Sequence, residues 1–350
     1  MTALPTSYKA IICPGVNQPW KEVTLPMREV APTEVLIKVH ASGICGSDHF
    51  VQDGTWPGIT YPRVPGHEIV GRVVAIGSGI GLNSRFKVGD LAGVGWNGGY
   101  CGACDPCRVG DFSVCVLGPT TGFTHDGGHG EYIYAPERSV VSLPEEALEH
   151  ASYAELAPLL CAGVTVFDAI RTTPFIPGDI CLVQGIGGLG HLAVQYAAKM
   201  GLKVYAVSSG PSKAALAKSL GAYEYIDSKT IEVVPYILSL GGAKVIICTA
   251  PSSDRISALI PAVARNGVVT LVSAAVDGDV RVSNLLMNMK RVTLRGWSCG
   301  VGRDAENCVK FSILANIKPM VREYKLEEFI DAYEDMIQGG PKFRNVIVFH

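Results

Sequence analysis

Apolar residues change their spacing as the chain runs. Residues 35–40 alternate and then become continuously apolar, which predicts a strand; residues 70–76 repeat the pattern and stop at Gly77. Short strands and Gly-rich turns continue to about Tyr134, and no helical period is evident before Glu146. Past Cys161 the texture alternates. Residues 180–184 form a short apolar strand, and residues 189–200 have helical spacing ended by Gly201. Residues 203–207 are a second strand, after which Pro211 suits the first turn of a helix and Gly221 its C-terminal stop. Residues 244–248 and 267–273 are further strands, and residues 291–295 a last strand at an exposed edge. Strand alternating with helix predicts a parallel sheet covered on both faces. From about Ser298 the polarity is mixed again.

Length and charge narrow the class. A chain of 350 residues is long enough for two domains, and 40 glycines with only 18% charged residues suit an α/β enzyme rich in tight turns. A net charge of −2 without a basic block gives no footprint for nucleic acid. No run approaches ~18 apolar residues, so no membrane span is expected. The first ten residues hold no apolar run of signal length, which leads to a cytoplasmic expectation. Eleven cysteines in such a chain point to metal rather than to a disulfide framework.

Two cysteine patterns differ in kind. Cys101, Cys104, Cys107 and Cys115 are separated by two, two and seven residues, so one loop can close a tetrahedral zinc site that is full and structural. An iron–sulfur cluster or unrelated free thiols are the alternatives. Cys45, His67 and Cys161 are instead dispersed, in Cys45-Gly46-Ser47-Asp48, Gly66-His67-Glu68 and Leu160-Cys161-Ala162. Two thiolates and one imidazole leave a fourth coordination place open. Asp48 is a candidate to take the other N–H of His67, as zinc-bound histidines require. Downstream, Gly185-Ile186-Gly187-Gly188-Leu189-Gly190 sits between a strand and a helix, where glycines let backbone N–H groups reach a pyrophosphate.

With these motifs the chain resembles the zinc-dependent medium-chain alcohol dehydrogenases, nearest in pattern to the fungal and cinnamyl-alcohol types, over nearly its whole length. The resemblance implies a GroES-like β-rich catalytic domain, residues 1–160 and 297–350, interrupted by a Rossmann domain at residues 161–296. It implies two zinc ions per chain, a small or aromatic alcohol and its aldehyde or ketone as substrates, and a homodimer or homotetramer paired through the 291–295 edge. Ser47 corresponds to a proton-relay hydroxyl and Glu68 to an acidic residue that can approach the metal; Ser47 could equally cap a turn. Thr165 resembles a nicotinamide-contacting position, a helix residue facing the core being the plainer reading, and Arg344 resembles a tail arginine paired with the pyrophosphate. Val272 and Ser273 end the 267–273 strand and are expected near the nicotinamide because ligands gather at strand C-termini in such sheets. Trp56 and Trp96 stand where narrow-pocket relatives carry theirs, although core packing is the commoner role of tryptophan. One departure is plain. Relatives often carry a proton-conducting histidine five residues after the first cysteine; this chain has Phe50 there, and His49 beside it.

The strand at 203–207 ends in Ser208-Ser209-Gly210-Pro211-Ser212-Lys213, without the acid that NAD enzymes place about 20 residues past the glycine motif. Ser208, Ser209, Ser212 and Lys213 can donate to a 2′-phosphate that a carboxylate would repel, so NADP(H) is expected before NAD(H). A helix cap without cofactor preference is the plainer reading of these serines. Two other functions stay open: reduction of an activated C=C bond on the same scaffold, and a non-catalytic zinc module.

Overall fold

In the computed structural model the description covers residues 4–80, 84–340 and 343–350, and the chain divides into two units. The first opens with the hairpin β1 (Ser7–Ile12) and β2 (Lys21–Pro26). It continues through β3 (Glu34–Ile44), β4 (Ile69–Ile76), β5 (Leu91–Val94), β6 (Tyr132–Pro136) and β7 (Val140–Ser142). β3 outruns the expected 35–40 strand because it pairs on both sides. β6 lies antiparallel to its residues 34–38 and β4 to its residues 35–42, and register shifts near Leu36 and Val39 let it bend and continue. Its far end delivers Ile44 directly to Cys45.

The second unit, Thr165–Ser298, contains β8 (Ile180–Gln184), β9 (Lys203–Ser208), β10 (Glu224–Asp227), β11 (Ala243–Cys248), β12 (Val263–Leu271) and β13 (Thr293–Gly296). All pair in parallel in the order β10-β9-β8-β11-β12-β13. The order reverses at β8, whose C-terminal end carries the Gly-rich turn and the helix Gly190–Lys199. Ligands gather at such a reversal. The inner strands are buried on both faces (Leu182, Tyr205, Ile246 and Val269 among them), hence their continuous apolar runs.

Two strand ends differ from expectation. β12 stops at Leu271, so Val272 and Ser273 lie past the strand, with the Val272 amide still bonded to the Cys248 carbonyl at 3.2 Å. Arg291 is not in a strand: it ends the helix Asn284–Lys290 in a left-handed conformation, φ 51°, and β13 begins at Thr293.

The tail, Cys299–His350, belongs to the first unit, where β14 (Val321–Tyr324) and β15 (Arg344–Val348) complete a sheet of order β14-β15-β3-β4-β5-β7. The units part at 164/165 and 298/299 rather than at 160/161 and 296/297. The reason is local packing. Cys299 donates to the Leu160 carbonyl, Cys308 to that of Leu159, and Gly163 lies against Leu159 and Cys308. Among the described residues no single helix is long and apolar enough to cross a membrane.

Candidate functional site

The end of β3, the start of β4 and a short 3-10 turn before the helix Ala162–Arg171 converge on one point of the first unit. They bring Cys45, His67, Glu68 and Cys161 together with ligand atoms all within 4.8 Å of one another. Cys45, His67 and Glu68 are buried, and Glu68 and His67 have no measurable exposure. Burying polar atoms without partners is costly. Yet both ring nitrogens of His67 and both carboxylate oxygens of Glu68 complete no hydrogen bond among the described residues. His67 Nδ1 lies 3.4 Å from Asp48 Oδ1, which turns Nε2 toward the sulfurs. The Cys45 thiol is held well below its ordinary range, first by a hydrogen bond from Cys161 and then by the Arg344 guanidinium. Soft sulfurs, an imidazole that completes no hydrogen bond among the described residues and a thiolate-favouring charge fit a zinc ion, whose ligands must be deprotonated.

Asp48 has no exposure and is held as a carboxylate well below the usual range by His67 and His129, against the upward pull of its burial. Its Oδ2 accepts the Cys45 amide at 2.8 Å. Glu68 pairs with Arg344, Oε1 to Nη2 3.3 Å, and Arg344 also donates to the Ile44 carbonyl at 3.2 Å. Within the first unit Arg344 therefore has Glu68 as its charged neighbour, a contact that the resemblance to a pyrophosphate-binding arginine does not foretell. Ser47 Oγ lies 3.8 Å from Cys45 Sγ. Phe50 stacks on Trp56, centroids 6.2 Å apart, while His49 shares a 2.7 Å hydrogen bond with Tyr333.

An aromatic wall grows outward from His67. The Trp96 ring stands edge-on to the imidazole at 5.0 Å; Trp56 meets Trp96 at 5.3 Å, and Phe123 meets both, at 5.8 and 4.8 Å. Phe123 carries no signal in its own stretch of sequence. Only the fold shows it in this group.

The four-cysteine loop is separate. Cys101 and Cys107 sulfurs lie 4.0 Å apart, and those of Cys104 and Cys115 3.8 Å. Four sulfurs held about 2.3 Å from one zinc would be about 3.8 Å apart, so the cage fits the ion. Amides of Ala103 and Cys104 point at Cys101 Sγ and lower its thiol to about 6.

In the second unit the Gly-rich turn follows β8. Gly190 packs so tightly on the Gly185 carbonyl that no side chain fits, whereas Gly187 has open space where a Cβ would be. That bare backbone at the start of a helix suits a pyrophosphate. Lys213 Nζ donates to the Ile186 carbonyl at 2.7 Å, tying the Ser208–Lys213 turn to the glycine turn. Ser209 and Ser212 lie in that turn; Gly188 and Leu189 lead into the helix. Thr165 is buried in the helix Ala162–Arg171, and Ser273 Oγ donates to the Ala250 carbonyl at 3.1 Å.

Comparison with known proteins agrees with this chemistry. Residues 31–145 match the alcohol dehydrogenase GroES-like domain, and residues 188–313 the zinc-binding dehydrogenase domain. The alcohol dehydrogenase patD of Penicillium expansum is 38% identical over 347 residues, 98% of each chain. An alcohol dehydrogenase of Geobacillus stearothermophilus is 34% identical over 329 residues, 93% of this chain and 95% of its own. Among solved structures, CAD from Helicobacter pylori complexed with NADP(H) aligns over 98% of both chains with a TM-score of 0.84 and 28% identity. The chain belongs to the zinc-binding, medium-chain alcohol dehydrogenase family. It is thus an oxidoreductase of alcohols and their carbonyl counterparts that works with a nicotinamide cofactor.

Proposed function

We propose that the protein binds two zinc ions and interconverts a small or aromatic alcohol and its aldehyde or ketone, with NADP(H) preferred. The observation that carries the reading is the buried Cys45, His67, Glu68 and Cys161 set. Among the described residues the His67 nitrogens and Glu68 oxygens complete no hydrogen bond, and they stand beside a wall of tryptophans. Cys45, His67 and Cys161 would hold the catalytic ion, with Glu68 as the approaching carboxylate, and the 101–115 cysteines the structural one. When bound, zinc supplies Lewis-acid polarisation of the substrate oxygen and the nicotinamide supplies or accepts the hydride.

The chain's own residues do the rest. Asp48 orients the His67 ring. Ser47, beside the ligand Cys45, carries the proton to or from the substrate oxygen. Phe50 cannot pass that proton on, and His49 is tied to Tyr333, so neither side chain extends the relay beyond Ser47. Trp56, Trp96 and Phe123 exclude water and favour flat substrates.

NADP(H) preference rests on the end of β9. Ser208 and Ser209 occupy the place of the usual acid, and Lys213 stands in the same turn. The nearby carboxylate of Asp227 is engaged, its Oδ1 accepting the amides of Gly210 at 2.8 Å and Lys229 at 2.9 Å. Turnover with NADPH and NADH at equal concentration tests this reading. NADPH should be used several-fold faster, and a clear preference for NADH would reverse the assignment. Oligomerisation through the outer edge of β13 is part of the same proposal, and sedimentation measures it.

A further inference from the structure

We infer that His129 is a positioning residue for the zinc ligand His67, acting through Asp48. The inference rests on the reading of Cys45, His67 and Cys161 as zinc ligands. His129 has no exposure and lies in the loop Gly127-Gly128-His129-Gly130, 62 residues after His67. That loop is stitched to the backbone just ahead of the ligand: the His129 amide bonds to the Pro65 carbonyl at 3.0 Å and the Gly128 amide to that of Gly66 at 3.1 Å.

The ring is boxed in. Phe329 packs on it with centroids 5.0 Å apart. On another side is Gly66, at φ +99°, where a Cβ would come within 2.7 Å of His129 Nδ1 and 2.8 Å of its Cγ. Gly66 therefore precedes His67 because the imidazole of His129 fills the space a side chain would need. The two ring nitrogens face different partners: Nδ1 lies 2.8 Å from Ser42 Oγ and Nε2 3.4 Å from Asp48 Oδ2. A carboxylate only accepts, so the hydrogen on Nε2 faces Asp48, and Nδ1 accepts from the Ser42 hydroxyl.

One carboxylate thus stands between two imidazoles, 3.4 Å from each. Its Oδ2 is also engaged by the Cys45 amide at 2.8 Å. With Oδ2 held by Cys45 and His129, rotation of the carboxylate is blocked and Oδ1 stays on His67 Nδ1. The partner that orients a metal-bound histidine is then itself oriented.

His129→Phe tests the idea, since it keeps a ring against Gly66 and Phe329 but removes the N–H. Zinc-loaded full-length protein is mixed with excess chelator and zinc release is followed with time. In the wild type two ions should leave in separable phases. In His129→Phe the ion at Cys45, His67 and Cys161 should leave about 10–100-fold faster. The ion of the Cys101–Cys115 loop should keep its rate, and His129→Gln, which returns an N–H donor, should slow release again. Ser42→Ala, a smaller change, should hasten release several-fold and serves if His129→Phe does not fold. Two wild-type ions with unchanged release in His129→Phe, or in Ser42→Ala where only that variant folds, overturn this inference alone. No slower release in His129→Gln than in His129→Phe also overturns it. A single wild-type ion, held by the four cysteines, overturns the catalytic-zinc reading and this one with it.

Discussion

Replacing Arg344 by methionine separates two roles for that side chain. Glu68 has no exposure and Arg344 is only 7% exposed, so their 3.3 Å approach lies largely outside water's screening. At an effective dielectric of about 20, unit charges at that distance attract by roughly 5 kcal/mol. Desolvation offsets part of this, but removing one partner strands the other, at a cost of about 3–5 kcal/mol. Burial already pushes the Glu68 carboxyl up to about 7 although Arg344 pulls it down, so the comparison belongs at pH 8, where the carboxylate is charged. Urea unfolding of the protein freed of zinc by chelator, where no metal charge compensates Glu68, should show Arg344→Met destabilised by about 3–5 kcal/mol. Arg344→Met combined with Glu68→Gln should lie within about 1–2 kcal/mol of Glu68→Gln alone, leaving a coupling of about 2–3 kcal/mol. A coupling below about 0.5 kcal/mol would refute the argument. Arg344 would then act outside the pair, as a pyrophosphate ligand would, and NADPH affinity would fall equally in both Glu68 backgrounds.

Two further outcomes follow from the first unit. Val109, Val114, Val116 and Leu117 of the cysteine loop are exposed, so little apolar burial holds it. Cys107→Ser should speed amide exchange across residues 101–118 by at least about 100-fold while β3 and β4 keep their protection; a loop that stays protected would show that metal does not fold it. His125 has both ring nitrogens buried without a hydrogen-bond partner among the described residues, and burial lowers its imidazole to about 4. Its unfolded value is near 6.5, so below that pH the unfolded chain gains a proton the folded one refuses. Stability is full above about pH 6.5 and falls by up to about 3 kcal/mol as pH drops to about 4. His125→Phe should flatten that fall relative to wild type, and parallel pH profiles would contradict it.

Legibility followed the range of the interaction. The Gly-rich turn is readable because strand, turn and helix are consecutive and need no distant residue. The four-cysteine cage is readable because one loop holds every sulfur. Strand ends were less so. β12 stops two residues short of Ser273, and Arg291 belongs to a helix terminus, because hydrogen bonding to neighbouring elements sets both limits. Nothing near His129 in sequence announces Asp48, 81 residues earlier.

By itself the chain's order of residues determined the alternation of strand and helix, the cofactor turn, the spacing of the cysteine cage and the presence of thiols and imidazole able to hold zinc. Periodicity and donor spacing are local properties, and local chemistry is written residue by residue. Tertiary structure alone decided that Arg344 faces Glu68, that Phe123 joins the tryptophans around His67, and that Ser42, His129 and Asp48 form one buried chain. Each of these depends on sheet register and loop docking that bring side chains together from β3, the 120s loop and the tail. Burial then gives a carboxylate or an imidazole few partners to choose from.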